Sequence, residues 1–237
     1  MAARRSSSAL SRRRVRRVLL APVRWAAVLV AGYLLACTLL LVAYRWIDPP
    51  ATTVQIQRLV EHAVAGEPYP MAYDPVPEAE QDPDIRHAVV ASEDARFYTH
   101  WGFDTEELRI AREDAARTGR PMRGASTLTQ QLVKNLFLTT HRSWVRKGFE
   151  VPLTLLAELI VPKDRLLTLY LNSAEWGPGV FGIEAAADYH YAGDADALSR
   201  DQAARLAACL PAPRDRRPQE MGRTAGRIQT RMRQMGW

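Results

Sequence analysis

The sequence predicts a mainly α globular domain behind a single membrane-spanning helix. Three observations predict it: an uncharged run of 20 residues near the N-terminus, helical spacing of apolar residues from Asp84 onward, and a lack of convincing strand alternation. The chain is 237 residues long, enough for one catalytic-size domain with accessories and too short for two large domains. A composition of 47% hydrophobic and 24% charged residues excludes a disordered or collagen-like chain.

Residues 1–24 form a basic tail that holds eight arginines, and the first acid in the chain is Asp48. Removing those eight from the 32 basic residues leaves 24 against 26 acids, a balance of −2 for the remainder. The excess charge therefore belongs to the tail, and the body carries no signature of nucleic-acid binding. Trp25 to Tyr44 is the uncharged run, bounded by Arg24 and Arg45. As a helix it would span roughly 30 Å, the thickness of a hydrocarbon core. No small-residue cleavage site of a signal peptide precedes the polar region. Arginine clusters stay on the cytoplasmic side, so the chain beyond Arg45 is expected outside the cytoplasm, where ATP is absent.

Residues 45–83 read as a Pro-rich connector. Seven of the 15 prolines fall between Pro49 and Pro83, which disfavours long helices from Glu67 to Pro83 and leaves room for a short one near Val54 to Val64. Residues 84–237 read as the folded domain. Ile85, Ala88, Val89 and Ser92 form one helical stripe, and Asp104 with Glu107 has capping spacing before Leu108. Ser143 can cap a helix running toward Pro152, Ser199 with Gln202 can cap another, and Arg223 to Met235 reads as a closing basic helix.

Several chemistries are excluded. The chain has no HExxH, and its five histidines are scattered, which argues against zinc; no metal ligand set is assigned. It has no Gly-x-Ser-x-Gly elbow and no Ser-x-x-Lys. Cys37 and Cys209 suggest neither a disulfide framework nor a metal knuckle. Gly177, Gly179 and Gly182 match GxGxxG, but without a βαβ unit the match does not indicate a dinucleotide site.

Three stretches carry positive signals. Glu93 and Asp94 lie in SEDARFYTHWGFD, where Phe97, Tyr98, Trp101 and Phe103 are expected to crowd the carboxylates and raise a pKa toward that of a useful base. In STLTQQLVKNLF, Leu128, Leu132, Val133, Leu136 and Phe137 occupy one half of a helical wheel. Thr127, Gln130, Gln131, Lys134 and Asn135 occupy the other, a face of amides and hydroxyls suited to hydrogen-bonding sugar or phosphate. Ser126 is placed either to cap this helix or to leave its N-terminus open to an anion. In HRSWVRKGFE, Arg146 and Lys147 fall four and three residues before Glu150, on one helix face. Together with Arg142 and Lys134 they cluster four cations in a domain that is otherwise slightly acidic, which implies an anionic ligand such as phosphate.

The motifs EDARFYTHWGFD, RGASTLTQQLVKNLFL, RKGFE and LYLNSAEWGPGVFGIEAAADYH occur in this order between about residues 84 and 213. They resemble the peptidoglycan glycosyltransferases of family 51, in particular the monofunctional forms that lack a transpeptidase domain. Ala125 and His190-Tyr191 depart from the common pattern. The resemblance implies a lysozyme-like α fold that polymerises lipid II into β-1,4-linked glycan strands, inverting the reacting carbon and releasing undecaprenyl pyrophosphate. It implies that Glu93 is the general base and Glu150 the second essential carboxylate. Lys134, Arg142, Arg146 and Lys147 would stabilise the departing pyrophosphate, with Ser126, Gln131 and Asn135 lining the same cleft. No cofactor is assigned, and a divalent cation at the pyrophosphate is compatible with the set. The implied partners are lipid II, the growing glycan, membrane lipid and other wall-building or division proteins. The implied location is the bacterial inner membrane, with a cytoplasmic N-terminus and a periplasmic catalytic domain. A membrane-bound glycan hydrolase and a non-catalytic wall scaffold are the competing readings.

Overall fold

A computed structural model of the chain describes residues 4–122, 124–141 and 143–237, with side chains from residue 21 onward. The chain divides into two compact units, Met1–Leu40 and Leu41–Trp237. The first is the major part of helix α1 (Arg4–Tyr44), whose segment Ala21–Tyr44 is long and apolar enough to cross a membrane. The expected run Trp25–Tyr44 lies within that segment.

The second unit is mainly α, as the apolar spacing predicts. Helix α2 (Thr53–Ala65) starts at a complete capping box between Thr52 and Gln55 and ends at Gly66 in the left-handed conformation. Its Thr53 hydroxyl donates to the Leu136 carbonyl at 2.8 Å, tying it to helix α5 (Leu128–Phe137). Helices α3 (Pro83–Glu93), α9 (Arg200–Cys209) and α10 (Gly222–Gln234) pack together, while α5 packs against α6 (Trp144–Ile160) and α7 (Lys163–Ser173). Ile85, Ala88 and Val89 of the α3 stripe are fully buried. The Asp104, Ser143 and Ser199 caps form as their spacing predicts, starting α4 (Thr105–Thr118), α6 and α9.

Three local expectations are corrected. Thr127, and not Ser126, caps α5, in a reciprocal box with Gln130 that buries both side chains. Helix α6 does not stop near Pro152 but runs to Ile160. Burial of Leu153, Thr154 and Ala157 beyond the proline offsets the one backbone hydrogen bond that its ring removes. A small three-stranded sheet also exists, order β1-β3-β2, with β1 (Ala72–Tyr73) drawn from the Pro-rich stretch and paired in parallel with β3 (Val180–Phe181). β2 (Glu175–Gly177) and β3 are the arms of a hairpin; of the GxGxxG match, Gly177 ends β2, Gly179 lies in the turn and Gly182 follows β3. There Gly179 has φ +75°, and a Cβ would lie 2.4 Å from the Pro70 carbonyl oxygen. Gly179 thus serves the close approach of the backbone before β1, in a hairpin and not in a dinucleotide-binding loop.

Gly102 is a second position that only glycine fits. Its φ is +75°, and a Cβ would meet Thr154 Cγ2 at 2.5 Å on the face of α6. Left-handed strain of roughly 1–2 kcal/mol adds to overpacking of about 1–3 kcal/mol. Gly102→Ala should therefore lower the thermal midpoint of the detergent-solubilised protein by roughly 5–10 °C. A calorimetric scan showing an unchanged midpoint would contradict this packing.

Candidate active site

Glu93 is the last residue of α3, and Asp94 caps that helix. Asp94 is buried and accepts hydrogen bonds from the Leu128 backbone N–H at 3.0 Å and from His100 Nε2 at 2.8 Å. It thereby fastens the end of α3 to the start of α5, so that Glu93 faces the side chains of the first turns of α5. The Thr127 hydroxyl extends the clamp by donating to the Gly102 carbonyl at 2.7 Å.

Gln131 Nε2 donates to Glu93 Oε2 at 3.1 Å, and the buried Tyr170 hydroxyl donates to Gln131 Oε1 at 3.1 Å. The tyrosine fixes which end of the amide points at the carboxylate, since the oxygen is already engaged. Burial pushes the Glu93 carboxyl above the ordinary carboxylate range, against the opposing pull of the Gln131 amide, Lys134 and Arg216. Its shielding differs from the expected aromatic crowd. Tyr98 and Trp101 are largely exposed, at 47% and 70%, while the buried Phe97 ring receives the Lys163 ammonium at 4.4 Å. Glu93 sits instead against the Gln131 amide, with Tyr170 behind it.

Lys134 lies one helical turn beyond Gln131. Burial lowers its pKa, as do Arg146 and Lys147, while Glu150 and Glu93 raise it. This side chain therefore feels the charge of both carboxylates. Glu150 is 3% exposed and forms ion pairs with Arg146 and with Lys147, the latter at 2.6 Å. Arg146 also donates to the His141 carbonyl at 2.8 Å. Breaking one side of such a buried pair is costly, so the three residues form a fixed positive platform. Among the described residues Lys134 has no ion-pair partner.

A cleft of about 600 Å³ opens beside Glu93, and Ser126, Gln131, Arg96 and Arg231 share its lining. Ser126 thus reaches the cleft as an exposed residue just ahead of the cap, not as the cap itself. Asn135 is half-buried one turn past Gln131. Arg142 lies outside the described residues. Asp94, His100 and Asp104 bring potential ligand atoms within 4.8 Å of one another. Both carboxylates are already engaged, however: Asp94 as above, and Asp104 with the Arg96 guanidinium at 2.7 and 2.9 Å and the Glu107 N–H at 2.8 Å. The cluster works as a clamp on the cleft wall.

The transglycosylase family model matches residues 63–236. The chain belongs to the transglycosylase family. A biosynthetic peptidoglycan transglycosylase of Pseudomonas putida (strain W619) is 47% identical over 201 residues, covering 83% of this chain and 85% of that protein. The proteins of the same description from Stutzerimonas stutzeri (strain A1501) and Pseudomonas syringae pv. syringae (strain B728a) are 44% and 45% identical over 209 and 202 residues. They cover 86% and 84% of this chain, and 86% and 85% of their own lengths are matched. As a transglycosylase the chain is an enzyme, and the lysozyme-like α fold implied by its motifs is the fold type of its family.

Sequence reasoning missed three residues that the fold brings close to Glu93. Tyr170 stands inside the motif that begins LYLNSAEWG, but its apolar neighbours mark it only as core. Arg216 and Arg231 sit among many arginines, and nothing local distinguishes them from Arg214, Arg217 or Arg233. Helix α6 carries a further feature of the transglycosylase. Val151, Leu155 and Leu159 recur every four residues and are exposed, and Trp144 and Val145 before them are 92% and 71% exposed. An apolar stripe of this kind, on the helix that also holds Arg146, Lys147 and Glu150, suits contact with lipid.

Proposed function

We propose that the enzyme polymerises lipid II into β-1,4-linked glycan strands at a membrane surface, with inversion at the reacting carbon. Glu93 takes the proton from the 4-hydroxyl of the acceptor's N-acetylglucosamine. That oxygen forms a bond to C1 of the muramyl residue at the end of the growing chain, on the face opposite the leaving group. The bond from C1 to the phosphate oxygen breaks, and undecaprenyl pyrophosphate departs with the electron pair. Its growing negative charge is met by Lys134, Arg146, Lys147 and Arg142, while Glu150 holds Arg146 and Lys147 in place. Ser126, Gln131 and Asn135 bind and orient the sugars and phosphate. A lipid-activated donor brings its own leaving group, so the reaction needs no nucleotide.

The observation that carries this reading is Lys134, a half-buried cation without an ion-pair partner among the described residues, one helical turn beyond the Gln131 that bonds Glu93 and electrostatically coupled to both Glu93 and Glu150. A base next to an anion-stabilising platform matches transfer with a diphosphate leaving group. A hydrolase would instead need an acid to protonate an alcohol leaving group. The proposed enzyme has a basic cytoplasmic tail over residues 1–24, a single membrane-crossing helix, a connector over residues 45–83 and a periplasmic catalytic domain over residues 84–237 at the bacterial inner membrane. The apolar stripe on α6 would bring the cleft to the lipid tail of the substrate. Other wall-building proteins are proposed partners.

The test gives the purified protein lipid II in one reaction and finished glycan in another. Consumption of lipid II with formation of long glycan is the expected result. Shortening of finished glycan with lipid II left intact would replace this reading with a hydrolase.

A further inference from the structure

Glu93 has a second cavity on its other side. It encloses about 210 Å³ and is walled by Ala208, Pro211 and Ile228, with Arg216, Arg227 and Arg231 around it. Glu93 is its only acidic lining residue. Ser92, Glu93, Pro211 and Arg231 line this cavity and the larger cleft alike, so the two adjoin at the carboxylate. Arg216 is held by donating to the Ala208 carbonyl at 2.8 Å, and Arg231 by donating to the Ala91 carbonyl at 2.8 Å. None of the three arginines is in an ion pair among the described residues. Three guanidinium groups without carboxylate partners around one small cavity make an anion site, and their forked geometry suits a carboxylate.

Which anion the cavity takes follows from the chemistry of the proposed reaction, on which this inference rests. The leaving diphosphate already has its cations on the other side of Gln131, at Lys134, Arg146 and Lys147. The acceptor keeps its own diphosphate two sugar rings away from the hydroxyl that Glu93 deprotonates, too distant for a cavity walled by Glu93 itself. The muramyl ring under attack carries one further anionic substituent close to C1. On its C3 oxygen is a lactyl group extended by a short peptide with free carboxylates. The apolar wall fits the lactyl and alanyl methyl groups, and the arginines fit the acids.

We propose that the Arg216–Arg227–Arg231 cavity is a subsite for the carboxylate-bearing peptide arm of the muramyl residue, separate from the diphosphate site. It would make the transferase favour sugars that carry the acidic peptide.

The test compares two lipid-linked disaccharides, one with the full pentapeptide and one whose lactyl carboxyl is capped as a simple amide. Wild-type protein and the Arg227→Gln variant, whose side chain lines this cavity and not the larger cleft, are assayed on both, and inorganic diphosphate is titrated as an inhibitor. The variant should lose about tenfold to a hundredfold in kcat/KM on the peptide substrate, the range for lost hydrogen bonds to a charged group. It should keep its rate on the amide substrate within about twofold, which also reports that it is folded. Equal losses on both substrates, or no loss on either, would overturn the subsite. So would weaker inhibition by diphosphate in the variant, which would make the cavity a phosphate site. Failure of the wild-type protein to polymerise either substrate would instead refute the underlying glycosyltransferase reading.

Discussion

Glu93→Gln should give a folded protein that has lost polymerisation by about 10²–10⁴-fold, the range that a positioned general base contributes. The substitution keeps the shape of the side chain, and its amide oxygen can still accept from Gln131. What disappears is the ability to take a proton. Stability should not fall with it. Burial raises the folded pKa of Glu93, so between the unfolded and folded pKa values the native state binds more protons than the unfolded state. Ionising this carboxyl therefore costs stability as pH rises through that window, and the neutral amide avoids the cost. The variant should melt at or slightly above the wild-type temperature at neutral pH. In the wild type the acid limb of kcat/KM should lie above the usual carboxylate range, with activity rising as pH increases and Glu93 ionises. Retained polymerisation in the glutamine variant would remove Glu93 from the role of base.

Lys134→Ala should reduce turnover by about a hundredfold, corresponding to the roughly 3 kcal/mol that one preorganised donor supplies to a charged transition state. The loss should exceed that of Lys147→Ala. Lys147 is already committed to Glu150 and shares that carboxylate with Arg146, whereas Lys134 keeps its charge free for substrate among the described residues. Its lowered pKa predicts the shape of the alkaline limb as well. The charged form is needed, so activity should fall as pH rises through a value below the ordinary lysine range. Lys134→Arg, which stays protonated, should retain part of the activity and push that limb to higher pH. Steady-state rates with lipid II across pH test both statements. Wild-type turnover in Lys134→Ala would reduce the cluster to surface charge.

Features that depend on near neighbours in the chain are legible in the amino-acid sequence itself. Twenty uncharged residues in a row make a helix long and apolar enough to cross a membrane, because hydrocarbon tolerates no unpaired backbone or charge along that length. The Arg146–Lys147–Glu150 platform and the Ser143 and Ser199 caps can be read from spacing, since three and four residues along a helix always bring side chains to one face. Even locally, two alternatives of similar chemistry are not separable. Ser126 and Thr127 are both competent caps, and the choice of Thr127 goes with its hydroxyl bond to Gly102, which lies in a different part of the chain. The tertiary structure alone decides how the site comes together. Glu93 and Lys134 belong to different helices, and the Asp94 bond to the start of α5 is what aligns them. The same holds for Tyr170 behind Gln131, and for Arg216, Arg227 and Arg231 around the second cavity. A helical period states which residues share a face, but which faces meet depends on how several cores pack at once, and no window of sequence contains that information.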